Sequence, residues 1–351
     1  MTQVTQAAQV LGHGGGVHSI KVPIPDNPLG HTLVYVVDTD RGPVLVDTGW
    51  DDPASWDTLT AGLTALVTSV TDIHGIVVTH HHPDHHGLSG QVRAASGAWI
   101  AMHAADTAIV RRTREAEPGT WLDYLTRKLT DVGAPDTHLA PLLAARDAGR
   151  LRTLPGLRSA LPDREIVPGE LLDLPGRRLR AIWTPGHTPG HVCLHLEERH
   201  PAGLPGHGRL FSGDHLLPGI SPHIGLYEDP DDTEVTDPLG DYLASLERIG
   251  RLGVSEVLPA HQHAFTGAGG RVRELLDHHE ERLTGLLALL ATPLTPWELA
   301  ERMVWNRPWE QIPHGSRSIA VSEAESHLRR LVKLGRAEAV GGSDPVTYIA
   351  V

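Results

Sequence analysis

Thr79-His80-His81-His82-Pro83-Asp84-His85-His86-Gly87 follows directly on the apolar run Ile76-Val77-Val78. The run reads as a short buried strand, and the turn after it packs imidazoles and one carboxylate together. His80 and His82 stand two apart on extended backbone, so their side chains point the same way. Asp84 and His85 come after the chain turns at Pro83, where they can address a second ion beside the first. The pattern His-x-His-x-Asp-His thus favours two adjacent divalent metals. A histidine tag would sit at a terminus and would lack the Asp and the following Gly.

Four ligands do not complete such a site, and three later segments offer more. They are Trp183-Thr184-Pro185-Gly186-His187-Thr188-Pro189-Gly190-His191, Leu210-Phe211-Ser212-Gly213-Asp214-His215, and Val257-Leu258-Pro259-Ala260-His261. Each places a ligand-capable side chain where an apolar, strand-like run meets its loop.

In this order the segments resemble the metallo-β-lactamase superfamily, closest in pattern to its glyoxalase II-like branch, over about residues 17–280. The resemblance implies that His80, His82 and His187 hold one metal. Asp84, His85 and His261 would hold the other, with Asp214 bridging both. Val44-Leu45-Val46-Asp47-Thr48-Gly49 matches a further signature of the family, whose Asp supports the ligands from behind. One departure is Gln262, where Gly often follows the last metal histidine.

Imidazole and carboxylate donors without thiolate suit zinc first, with iron, manganese or cobalt as alternatives. Two such ions bring bound water to a pKa of about 7 and leave a cationic centre that favours an oxyanion. The expected reaction is attack by a metal-bridging hydroxide, oriented by Asp84, on a small (thio)ester, lactone or related acyl compound. Flavodiiron proteins carry a glutamate in place of the second histidine, which here is His82. A mononuclear iron oxygenase is a minor alternative on the same scaffold.

The chain has 351 residues, enough for a large domain and a smaller companion. Aromatic residues make up only 4%, so Leu, Val and Ala must form most of the core. The single cysteine, Cys193, rules out an internal disulfide and reads as a small packed residue of a strand. Residues 1–16 lack an apolar secretion signal and no stretch approaches a membrane span, so a cytoplasmic enzyme with no membrane partner is the expectation. A net charge of −13 argues against general attraction to nucleic acid.

The expected fold is a four-layer α/β (αββα) sandwich spanning residues 1–285. Strands are expected at Thr32 to Val37, Val44 to Val46, Ile76 to Val78 and Trp99 to Met102 in its first half, with a helix from Trp56 to Val70. A second strand-rich half runs from Leu171 to Leu258, with a helix near Asp241 to Ile249. Between the halves lies a helical insertion at about 104–165, rich in arginine (Arg111, Arg112, Arg114, Arg127, Arg146, Arg150, Arg152, Arg158, Arg164). Its Trp121, Leu122, Leu125 and Leu129 suggest an amphipathic helix. The insertion reads as a solvated appendage, or as a lid whose basic groups meet an anionic substrate. The loop after Asp214 offers His215, His223 and Tyr227 as substrate contacts.

Residues 286–351 change character. Thr295-Pro296-Trp297-Glu298 is a capping box with Pro at the first helical position, and Ser322-Glu323-Ala324-Glu325 reads as another. The second helix would place Leu328, Leu331, Val332 and Leu334 on one side and stop at Gly335, before a hairpin. This pattern resembles a winged helix. It raises an alternative function, an endoribonuclease or nucleic-acid-binding protein, but acids and bases balance across the tail, which favours packing or a homodimer contact.

Overall fold

The computed structural model describes residues 8–117, 119–148, 159–227, 236–342 and 344–351. Arg150, Arg152 and Arg158 of the insertion, and residues 1–7, lie outside the described residues. The chain forms two compact units. The first comprises residues 1–114, 155–222 and 245–272, and the second residues 115–154, 223–244 and 273–351.

In the first unit seven strands pair in chain order: β1 (Val10–Gly14), β2 (Val17–Pro23), β3 (His31–Val37), β4 (Val44–Val46), β5 (Gly75–Val77), β6 (Trp99–His103) and β7 (Arg164–Ile166). β1 to β4 run antiparallel to their neighbours, and β4 to β7 are mutually parallel. A second sheet holds β8 (Leu179–Trp183), β9 (Val192–Leu196), β10 (Arg209–Gly213) and β11 (Glu256–Pro259) in the order β11-β10-β9-β8.

Side chains alternate across a strand, and the apolar runs use both faces. Leu33, Tyr35, Val37, Val44 and Val46 face one way and pack with Leu179, Ala181, Val192, Leu194, Leu196, Phe211 and Leu258 of the second sheet. Val34, Val36 and Leu45 face the other way and pack against Leu59 and Leu63 of α1 (Pro53–Ala65) and Val92 of α3 (Ser89–Ser96). Between these helices lies the one-turn α2 (Pro83–His86). α1 starts earlier than the Trp56 expected from periodicity, because Asp52 caps the Ala54 N–H and Pro53 opens the helix. Each fully buried Val, Leu or Ile contributes about 1.5–3 kcal/mol. The metal ligands are not needed for this core.

Direction matters more than layering for the site. β4, β5 and β6 are parallel, so their C-terminal ends emerge at one edge of the first sheet. β8, β10 and β11 likewise share a direction. The sheets are tied beside those ends, where Tyr35 donates its O–H to Pro259 O at 2.7 Å and the Ala260 carbonyl accepts the Leu33 N–H.

α4 (Ala104–Glu115) closes the described run of the first unit after β6. The insertion ends sooner than residue 165, because Arg164 and Glu165 belong to β7 and pair with β6. Cys193 is fully buried, and burial pushes its thiol up to about 12, as befits a packed residue.

The second unit departs from a boundary at 285/286. It combines α5 (Thr120–Asp131) and α6 (Asp136–Asp147) with α9 (Pro296–Arg302), α10 (Arg317–Lys333) and the hairpin β12 (Ala337–Val340) and β13 (Thr347–Ala350). The reason is a shared core. Leu129, Val132 and Leu139 of the insertion pack with Trp297, Ala300, Trp309, Val321 and Ala324, and Val132 O accepts the Trp297 N–H at 3.0 Å. α5 is amphipathic, with Leu122 and Leu129 buried and Trp121 exposed. The Thr295–Glu298 capping box is formed. Ser322-Glu323 opens no helix, since α10 already starts at Arg317; Ser322 Oγ instead accepts the Leu226 N–H at 3.1 Å. Leu328 and Leu331 are buried, whereas Val332 and Leu334 are exposed. α7 (Pro238–Gly250) and α8 (Ala268–Leu289) contribute residues to both units.

Candidate metal centre

The strand ends deliver their loops to one place. Asp47 follows β4, His80 to His85 follow β5, His187 follows β8, Asp214 follows β10 and His261 follows β11. Among the described residues, the side chains able to hold a metal form three overlapping groups: His80, His82 and His187; His80, His85 and Asp214; and Asp84, His85 and His261. All seven expected ligands are among them.

The hydrogen bonds behind the ring fix which nitrogens face inward. His261 Nδ1 lies 2.9 Å from the His31 carbonyl, an acceptor only, so Nδ1 carries a proton and Nε2 is the nitrogen that points inward. His85 Nδ1 likewise donates to Asp47 Oδ2 at 2.8 Å. Asp47, at φ 61°, also accepts the Thr79 N–H at 2.8 Å and the Thr79 hydroxyl at 2.9 Å. With its proton committed to Asp47, the Thr79 oxygen receives the Nδ1–H of His80 at 3.1 Å. Asp47 thus fixes His85 directly and His80 through Thr79.

The inward atoms form an arrangement that protons alone do not satisfy. His80 Nε2, His82 Nδ1 and His187 Nε2 stand 3.0, 3.1 and 3.2 Å apart, and at most two sides of that triangle can carry a hydrogen bond. Four-coordinate zinc with Zn–N of about 2.0–2.1 Å needs nitrogens about 3.3 Å apart, close to this spacing. On the other side, His261 Nε2 lies 3.3 Å from Asp84 Oδ2 and 3.2 Å from Asp214 Oδ1. His85 Nε2 lies 3.4 and 3.5 Å from the same two carboxylates. His85 Nε2 and His261 Nε2 face these carboxylate oxygens, and both nitrogens and Asp214 Oδ1 are buried without a hydrogen bond of good geometry. A buried nitrogen facing a buried carboxylate needs a positive charge between them, a proton on the imidazole or a metal ion in its place, and together with the three-nitrogen group this donor set fits a metal pair.

The titration behaviour follows. Burial drives His80 and His82 well below the ordinary histidine range, helped by the neighbouring imidazoles. Burial also opposes charge on His85 and His261, but the carboxylates win. His85 is raised by Asp84, Asp214 and Asp47, and His261 is raised to about 10 by Asp214 and Asp84. Asp84 and Asp214 are buried, yet the facing histidines hold both below the usual carboxylate range.

The expected substrate contacts fare differently. His215 is fully buried, its ring 5.9 Å from that of His191, and burial lowers it to about 3; it packs as a neutral imidazole and offers a substrate no surface. His223 and Tyr227 belong to the second unit, where His223 pairs with Glu323 at 3.4 Å. Gln262 has φ 70°, a left-handed conformation that glycine adopts most readily. Its side chain accepts the Gly219 N–H at 2.9 Å.

Three supporting residues carried no signal of that role in the sequence. His191 Nε2 accepts the Asp214 N–H at 3.2 Å while Nδ1 bonds Thr184 Oγ1 at 2.8 Å, so His191 holds the backbone of Asp214. Gly213, at φ 51°, permits this, since a Cβ there would meet His191 Nε2 at 2.6 Å. Thr79 and the fully buried Asp106 are the others. Asp106 stands just past the end of the parallel strand β6.

The family described as Metallo-beta-lactamase superfamily matches residues 27–261. A metallo-beta-lactamase family protein from Thermus thermophilus is similar in structure, at TM-score 0.76 and 32% identity, covering 96% of this chain and 99% of that one. A beta-lactamase domain protein from Burkholderia ambifaria shares the fold at TM-score 0.80, with 23% identity over 97% of this chain and 94% of its own. The probable metallo-hydrolase YqjP of Bacillus subtilis is 25% identical over 82% of this chain and 84% of its own length. The lactamase-like protein nscB of Aspergillus fumigatus is 26% identical over 74% of this chain, which spans 56% of that protein.

Proposed function

The chain belongs to the metallo-β-lactamase superfamily, whose members are metallo-hydrolases, and on that premise we propose that it hydrolyses a small (thio)ester, lactone or related acyl compound. The observation that carries this reading is the convergence of His80 Nε2, His82 Nδ1 and His187 Nε2 at 3.0–3.2 Å, in groups that together take in Asp84, His85, Asp214 and His261. In this proposal His80, His82 and His187 hold one divalent ion, Asp84, His85 and His261 the other, and Asp214 both, with zinc preferred over iron or manganese. Two such ions, when bound, supply Lewis acidity and lower the pKa of water.

The chain's own residues would then do the rest. Asp84 would hold and orient the attacking hydroxide. Asp47, through His85 and Thr79, would keep Nε2 of His85 and of His80 free of protons. His223 and Tyr227 are kept as proposed substrate contacts or proton donors to the leaving group. The net charge of −13 supports a small molecule over a polynucleotide, and the lactamase-like name of the fungal relative agrees with acyl chemistry. We place the chain nearest the glyoxalase II-like branch, read its helix–helix–hairpin tail as winged-helix-like, and take the cytoplasm as its compartment; among the described residues no helix is long and apolar enough to cross a membrane.

The test is a panel of thioesters and lactones against single-stranded RNA, using purified, metal-loaded protein and its Asp214→Asn variant. Acyl hydrolysis lost in the variant supports the proposal. RNA cleavage lost in the variant, without acyl hydrolysis, replaces it with the nuclease reading.

A further inference from the structure

We propose that Asp106 is the positioning residue of the three-imidazole site, a carboxylate clamp that sets the spacing between the loop carrying His80 and His82 and the loop carrying His187. The inference rests on the metal-centre reading above and concerns a residue that contacts none of the seven ligand side chains.

Asp106 lies in the first turn of α4 and is fully buried. Its Oδ2 accepts the His81 N–H at 2.8 Å, His81 Nδ1 at 3.1 Å and the Thr188 hydroxyl at 2.8 Å. Its Oδ1 accepts the Gly190 N–H at 2.6 Å. His81 sits between His80 and His82, and Thr188 directly follows His187. One carboxylate therefore bonds the backbone between two ligands and the side chain next to the third.

The surroundings show that the separation is set from both sides. Gly190 lies so close that a Cβ there would come within 2.6 Å of Asp106 Oδ1 and 2.5 Å of its backbone nitrogen. Burial opposes the charge of Asp106, but His81, Thr188 and the His81 amide hold the carboxylate well below its usual range, so it stays an acceptor to all four donors. Asparagine has similar shape but must turn an NH2 toward donors, whichever way it flips. Nothing ties Asp106 to Asp84, His85 or His261, so its loss falls on one site.

The experiment titrates the full-length, metal-stripped protein and its Asp106→Asn variant with Co2+, reading the visible absorption of the bound ion and the heat of each binding step. Outer partners of metal ligands are worth about 10–100-fold in affinity. The expected result is a loss of that size in one of two binding steps, with the other within about twofold. Thr188→Val removes a single donor and carries the same comparison if Asp106→Asn does not fold, and Asp106→Glu should restore part of the loss. Unchanged steps, or equal weakening of both, overturn the clamp, because a merely structural role would lower both together. Failure of the wild-type protein to bind Co2+ stoichiometrically overturns the metal-centre reading and this proposal with it; two normal steps in wild type and variant overturn only the clamp.

Discussion

Asp47 Oδ2 and His85 Nδ1 stand 2.8 Å apart, both buried, on loops that leave neighbouring parallel strands. A carboxylate can only accept, so this contact decides which nitrogen of His85 keeps its lone pair. In Asp47→Asn the amide can present a donor instead, and the imidazole loses its reason to hold that tautomer. Metal affinity should fall about 10–100-fold. Isothermal titration of the stripped protein checks it, and wild-type affinity in the variant would deny Asp47 its supporting role.

Gly213→Ala tests the backbone beneath Asp214. The substitution forces a left-handed alanine and brings a Cβ against His191 Nε2. Strain of this kind costs about 1–3 kcal/mol. The expected outcome is a lower denaturation midpoint together with turnover reduced well beyond what the lost stability explains, because Asp214 must move.

Removing metal should leave the fold standing. The two sheet-flanking cores contain none of the seven ligands. Far-UV circular dichroism after chelation should match that of the loaded protein, while turnover disappears. At free metal about 1,000 times Kd, binding adds about 4.1 kcal/mol, so the melting temperature should drop on chelation and recover on re-addition.

Acid should weaken the second unit through a buried histidine pair. His279 Nδ1 lies 3.1 Å from His327 Nε2, and burial lowers His279 to about 3 and His327 to about 4. The folded protein thus binds fewer protons than the unfolded chain between about pH 6.5 and these values, so stability falls as pH drops through that window. Glu323 adds the same sign lower down. It is buried, but His223 and Arg282 hold it at about 2, so its contribution is lost as pH falls from about 4.5 toward 2. His279→Gln keeps an N–H donor for His327 but cannot become charged. Urea denaturation at pH 7 and pH 5 should show a smaller pH difference in this variant; an unchanged difference would exonerate the pair.

Much of the centre was legible because its ligands obey a local rule. Each stands within a few residues of the end of an apolar strand, and strand ends can be read from periodicity. Support from behind the ligands obeys no such rule. Asp106 looks like an ordinary acid in the first turn of a helix, and only the parallel pairing that carries β6 beside β5 brings it under His81. His191 sits in a quoted motif, yet its bond to the Asp214 amide depends on β9 pairing with β10. The tail failed in a third way. Ser322 and Glu323 have the chemistry of a helix start, but the chain was already helical from Arg317, and their polar groups serve Leu226, His223 and Arg282 instead. The shared core of Trp297 with Val132 joins residues far apart in sequence, which no window along the chain can reveal.

The dispersal of the ligands over both sheets bears on the order in which the molecule is made. His80 and His261 cannot meet until β5 and β11 have each joined their sheets and the sheets have closed over Tyr35 and Phe211. Contacts so remote along the chain arrive late in folding. An ion would therefore find no complete cage during synthesis and would be captured afterwards by a finished scaffold, so a cell short of metal would accumulate folded, inactive protein that becomes competent when supply returns.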